Sequence, residues 1–295
     1  MLDKEPEDFR HTNRLREIWQ LLQKDKLSLI CFYVFFGLIL TALFAPYLSP
    51  YATDRQFVEL ELLPPSWSEK GTVSHFFGTD DIGRDLLSRL IQGVTYTFGS
   101  ATIIVIFTAL IGGLLGILAG MSKGIKSRIL GHFLDSFLVI PVLLIAIIIA
   151  TLMDAGLINA MLAIMLALLP QFIHDIHDVV KSELKKEYVL TLRLEGINDN
   201  TLLKSTILPN ILVPYIRQIT RAFTIAILDI SALSFISLGA QHPTPEWGAM
   251  IRENLDLIYL APWNVILPGL AIVLTMLVVI ILGNGLCKAI EKYDE

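Results

Sequence analysis

Gly120 to Gly124 reads GMSKG and fits G-x-S-x-G, the spacing that raises a nucleophilic serine on a strand-to-helix turn. Here the pentapeptide closes an apolar run long enough to span a membrane, and no base in matching context accompanies it, so chance explains the match. His174 and His177 in the run HDIHD stand three positions apart, which makes them neighbours on a helix. With Asp175 and Asp178 beside them they read either as a metal site or as the wetted end of a helix next to a partner. Asp229 is the sharpest single residue. It lies within an apolar run, and a carboxylate at depth in a bilayer costs about 3 kcal/mol, so it is expected to pair with a partner subunit or to line a path. Arg221 precedes it by eight positions, about two turns, too far for a direct pair on one helix. No segment supplies the G-x-x-x-x-G-K-[ST] loop that cradles nucleotide phosphates, so the sequence offers no nucleotide-hydrolysing site of that type.

The elements that must position these residues follow from composition. Hydrophobic residues make up 54% of the 295, charged ones only 17%, and the mean hydropathy is +0.63, against about 25% charged in soluble domains. An all-α membrane protein is expected. About 20 apolar residues cross a hydrocarbon layer about 30 Å thick, and runs of that order occur at 28–47, 97–120, 133–153, 157–173, 211–238 and 263–283, predicting six transmembrane helices. With the N-terminus inside, the inner segments hold 16 of the 23 Lys and Arg and the outer loops hold five, so both termini are expected in the cytoplasm. The first run has a long polar leader and no A-x-A site, and reads as an anchor rather than a signal peptide. Cys31 and Cys287 both fall near inner ends of spans, so no outer disulfide is implied. The divisions are an inner segment 1–27, the first span, an outer loop 48–95, a membrane unit 96–286 with an inner loop 179–210, and a tail 287–295.

Within these spans Gly112, Gly116 and Gly120 recur every four residues, a ridge that lets a second helix approach closely. Pro141 in the third span and Pro170 in the fourth are expected to free backbone carbonyls and bend their helices, which suits the lining of a cavity and is also common in ordinary membrane helices. The inner loop is the longest polar run of the second half, KKEYVLTLRLEGINDNTLLKSTILPN from Lys185 to Asn210. Read as a helix, Tyr188, Leu192 and Glu195 share a face while Val189, Leu190 and Arg193 turn elsewhere; Gly196 breaks it, and a second helical piece from about Asn200 leads to Leu208-Pro209. Such a pair leaves apolar surface over and needs a partner.

At these residues the chain resembles the inner-membrane permeases of binding-protein-dependent ABC importers, whose inner loop carries EAA, three residues, Gly, and Leu-Pro twelve residues after the Gly. Gly196 and Leu208-Pro209 keep that spacing, while the EAA positions are Leu190, Thr191 and Leu192 and do not match. HFFGTDDIGRDLLSRLIQG, His75 to Gly93, is similar to the C-type permeases of oligopeptide and dipeptide importers at Phe77, Gly78, Thr79, Asp80, Gly83, Arg84, Asp85, Ser88 and Arg89. ALSFISLGAQHPTPEWGAM, APWNVILPG and ILGNGL resemble later parts of the same family, and LLPPSWSE, LDISAL, PEWGAM and LIYLAPW look most like its antimicrobial-peptide-sensitivity branch. The resemblance implies a type-1 ABC importer permease fold in the bacterial inner membrane and a peptide substrate, cationic antimicrobial peptides included. It further implies a second homologous permease, two cytoplasmic ATPase subunits that bind the ATP, and a periplasmic substrate-binding protein. This chain would carry no cofactor, no metal and no catalytic residue, and would meet lipid but no nucleic acid. Tyr188, Leu190, Thr191, Leu192, Gly196, Leu208 and Pro209 would then form the ATPase-coupling loop, with Asp229, Pro141 and Pro170 along the transport path.

The outer loops hold eleven acidic and five basic residues, a field that would attract cationic peptides or dock a basic patch on the binding protein. An ion-coupled secondary transporter would use Asp229 or the His pair and would show paired broken helices from inverted repeats, which the sequence lacks.

Overall fold

The computed structural model describes residues 14–122 and 139–294. Among them the chain is helical, with only isolated β-bridges, Gln56 to Arg84 and Thr79 to Asp85. Helix α1, Arg14–Lys24, precedes α2, Lys26–Leu48. Asp25 caps α2, accepting from the Leu27 amide at 3.2 Å and the Ser28 hydroxyl at 2.7 Å, and that hydroxyl bond holds its carboxyl below the usual range. Helix α1 is held by Leu22, which is buried, and by Trp19, whose ring lies 4.9 Å from that of Phe32.

Helix α3 runs continuously over Leu86–Met121, eleven residues earlier than the expected start, with wider turns at Thr95–Gly99 and Thr108–Gly112. Helix α4, Val142–Thr151, is the described part of the third expected span. Residues 133–138, with Asp135, and the inner-loop Lys123, Lys126 and Arg128 lie outside the described residues. Pro141 is not inside a helix: it stands directly before α4, where a missing amide costs nothing, and its carbonyl accepts from Leu144 at 3.0 Å. The expected bend at Pro141 is therefore corrected to a helix start.

Helix α5, Leu157–Leu184, contains Pro170 as expected and continues eleven residues past the apolar run. Two short helices follow, α6, Glu187–Leu194, and α7, Asp199–Leu202, the second running on through a wider turn to Asn210. Helix α8 is Leu212–Phe235, α9 is Trp247–Asn254 and α10 is Trp263–Asp294. Five of these helices are long and apolar enough to cross a membrane, and α4 is a shorter apolar one.

The core forms where α3, α5 and α8 meet. The glycine ridge acts as the four-residue spacing predicted: a Cβ on Gly116 would stand 2.8 Å from Ile176 Cβ, and one on Gly120 2.6 Å from Val180 Cβ, both on α5. Only a hydrogen at these positions lets the helix axes come this close. Tyr215 of α8 packs over Gly113 and donates its hydroxyl to the Ala109 carbonyl at 2.7 Å, bridging one of the wide turns of α3. Ser122 of GMSKG donates to the Ala119 carbonyl at 2.6 Å, so its hydroxyl closes its own helix.

Candidate functional site

The segment 185–210, expected on the inner side, is built around one residue in the left-handed region. Gly196 has φ +86°, and the Ile197 amide reaches back to the Leu192 carbonyl at 3.2 Å, closing α6 in the manner of a glycine cap. Asn198 then caps α7, accepting from the Thr201 amide at 2.8 Å. A Cβ at Gly196 would meet nothing within 4 Å, so within this chain the glycine is required by its backbone angle and not by crowding.

Burial within the segment is divided. Val189, Leu202 and Ile207 are fully enclosed, whereas Leu190 is 52% and Leu194 89% exposed, with Tyr188 and Leu208 also open and Thr191 on the solvent side. Leu192 and Pro209 are half-buried. The apolar residues scattered around α6 thus separate into one anchor, Val189, and an open apolar face. The Tyr188 hydroxyl donates to the Glu183 carboxylate at the end of α5 and accepts from the Asn210 amide at 3.0 Å. Burial, then the Glu183 carboxylate, pushes the Tyr188 hydroxyl up to about 12, so it stays a donor at neutral pH. One side chain therefore ties α6 to both flanking helices. Behind it an open cleft of about 520 Å³ is lined by Glu183, Lys186, Asn210, Arg217 and Glu291.

A second polar group lies where α5 faces α8. Arg221 Nη1 stands 3.5 Å from Asp175 Oδ2, a partner that sequence reasoning missed because it lies on another helix. Asp178 takes both imidazoles of HDIHD, His174 at 3.2 Å and His177 at 2.9 Å. Among the described residues no three His, Cys, Asp or Glu are arranged to hold a metal. Asp229 is enclosed by its own chain at 3% exposure, and its Oδ2 has no hydrogen-bond partner among the described residues.

The loops after α2 and α8, expected on the outer side from the sequence, hold a charge network, and of its members Glu253 falls outside the family signature. Arg84 pairs with Asp80 at 2.5 Å and Glu253 at 3.0 Å, and Arg89 pairs with the same Glu253 at 2.9 Å. His75 bonds Asp85 at 2.9 Å, and Asp85 caps α3 through the Ser88 amide at 2.8 Å. Glu246 caps α9, accepting from Ala249, Thr97 and Ser231 at 2.8–2.9 Å; burial pushes its carboxyl up despite those bonds. These ties weld the loop after α2 to the loop after α8. They also shrink the outer field, since Asp80, Asp85, Glu246, Arg84 and Arg89 are buried and Glu253 is nearly so. Seven acidic and three basic outer residues remain, four net negative where the bare sequence suggests six.

The family model of binding-protein-dependent transport system inner membrane components matches residues 112–292, and that of the N-terminal TM domain of oligopeptide transport permease C matches residues 13–65. The peptide transport system permease protein SapC of Haemophilus influenzae is 58% identical over 295 residues, 100% of both chains. The dipeptide transport system permease protein DppC of Escherichia coli is 35% identical over 277 residues, 94% of this chain and 92% of the relative. Among solved structures, an inward-facing MetNI methionine ABC transporter chain superposes with a TM-score of 0.56 at 16% identity, covering 68% of this chain and 95% of that one, a likeness of fold.

Proposed function

Because the chain belongs to the family of binding-protein-dependent transport system inner membrane components, we propose that it is the peptide-conducting C-type permease subunit of an ABC importer. Full-length identity to a peptide transport permease is the observation that carries this reading. The chain would span the bacterial inner membrane six times, α4 being the described part of one crossing, with both termini in the cytoplasm. Its domain divisions would follow the sequence reading, with residues 96–286 forming the transport unit. A second homologous permease would complete the path. Two ATPase subunits would bind the ATP, a periplasmic protein would deliver the peptide, and this chain would be no enzyme itself.

In this reading Leu190, Leu194, Tyr188 and Leu208 offer the ATPase an apolar face, supported by their exposure at the tip of the inner segment. Val189, Leu202 and Ile207 root that face in the body, and the Tyr188 link to Glu183 and Asn210 passes its displacement to α5 and to the end of the α7 continuation, which leads into α8. Gly196 sets the angle between the two short helices, with Thr191, Leu192 and Pro209 completing the coupling loop. Asp229 and Pro170 are assigned to the packing behind the path, and Pro141 to a helix start at its edge. Co-purification tests the assignment: tagged chain expressed with its complex should retain ATPase subunits in stoichiometric amount. Its recovery free of any ATPase under conditions that keep a second permease bound would contradict it.

A further inference from the structure

The polar face between α5 and α8 is not used by the coupling segment, and its composition is unusual for a membrane helix. Arg221 and Leu228 are open along one side of α8, with the Arg221 side chain 55% exposed in the isolated chain, while Arg217 one turn earlier belongs to the cleft behind Tyr188 and pairs with Glu291 at 3.0 Å. Asp175 of α5 stands beside Arg221, while Asp178 one turn on is taken by His174 and His177. A lipid-facing surface would not carry this set, since charges within spans face water-filled space or a partner, and an anionic inner leaflet repels carboxylates. Arg221 is the tenth residue of α8 and Asp175 lies nine residues before the end of α5, so each stands about 14 Å in from its helix terminus.

Between them is a small notch of about 10 Å³, lined by Gln171, Asp175, Gln218 and Arg221 and by four apolar side chains, Phe172 and Ala222 among them. That volume is about one water molecule or one carboxylate oxygen. The guanidinium has five N–H donors in a planar fork, and its contact to Asp175, at 3.5 Å, is longer than a normal hydrogen bond. The pair is loose, and its cation remains available to a second carboxylate.

We infer that Arg221, seated in the notch with Gln171 and Gln218, is a specificity-determining contact for the free C-terminal carboxylate of a peptide in transit, Asp175 being the counter-ion it exchanges. The inference rests on the peptide-permease reading and names the chemical feature that the path recognises. A backbone carboxylate is common to peptides of any sequence, so such a contact selects for a free C-terminus without selecting side chains. Bidentate pairing to Arg is geometrically better than the single long contact to Asp175, which favours the exchange.

The test uses the complete transporter in proteoliposomes, with one labelled pentapeptide supplied as the free acid and as its C-terminal amide. The parental complex should take up the acid in preference to the amide. Arg221→Gln should bring the acid-to-amide uptake ratio down by about tenfold, the scale of one charge-assisted hydrogen bond, and Arg221→Lys, which keeps the charge but not the fork, should retain part of the preference. Equal loss of both peptides in Arg221→Gln, with the ATPase subunits still bound, would make Arg221 structural and overturn the inference. An unchanged ratio would overturn it as well. Uptake of neither peptide by the parental complex would instead contradict the peptide-permease reading itself.

Discussion

Gly196 offers a perturbation whose two components can be separated. Its φ of +86° lies where an L-residue is strained, at about 1–2 kcal/mol for most side chains and less for Asn, which tolerates the left-handed region. Since a Cβ there meets nothing within 4 Å, Ala and Arg should cost this chain the same backbone strain and no clash. At about 1 kcal/mol the population of the correctly bent segment falls about fivefold. Any further deficit in Gly196→Arg must arise from a surface outside this chain. The assay is ATP turnover coupled to peptide uptake in the complex carrying Asn, Ala or Arg. Asn should stay near the parental level, Ala should lose several-fold, and Arg should abolish coupling while the chain still inserts. Parental-level coupling by Gly196→Arg would reduce the segment to a solvated linker. Equal damage from Asn and Arg would show that volume, not backbone angle, decides.

The charge network gives a stability prediction: Arg89→Ala strips one of the two cations from Asp80 and Glu253, Arg84 keeping its contacts to both, and should cost about 1–3 kcal/mol, read as a drop in melting temperature in detergent, and a drop no larger than that of an exposed Arg55→Ala control would refute the network. Gly116→Val drives a side chain into Ile176 and the Ile173 carbonyl and should destabilise by about 1–3 kcal/mol, whereas Gly37→Val, with nothing within 4 Å, should be near neutral in the same melt. Single cysteines test the topology. Val73→Cys and Tyr259→Cys, at 84% and 97% exposure, should react with an impermeant reagent from outside, and Leu194→Cys, at 89%, only after the membrane is opened. External labelling at position 194 would break the six-span arrangement. His75 is a poor probe because the fold buries it.

What the sequence made legible was whatever depends on near neighbours in the chain. Apolar run length located the long helices, the four-residue spacing of Gly112, Gly116 and Gly120 announced the approach of α5, and Gly196 marked the break between two short helices. Pairings across the fold were hidden. Arg84 and Arg89 meet Glu253 from more than 160 positions away, and no local pattern encodes that. The extension of α5 past Ile173 was also invisible to hydropathy, because its last turns are polar outside while Ile176, His177 and Val180 are buried inside. Asp229 shows the same limit: its depth in an apolar run is legible in one dimension, but its enclosure within its own chain is not.

The central claim is that this chain conducts peptide and that the driving nucleotide chemistry belongs to other subunits. Uptake of a labelled peptide into proteoliposomes, with the binding protein supplied outside and ATP inside, tests it when the complex is assembled with and without the ATPase subunits. ATP-driven accumulation with the ATPases, none without them, and no nucleotide turnover by the purified chain is the predicted result. Uptake that persists without the ATPases, or turnover by the chain alone, would contradict it.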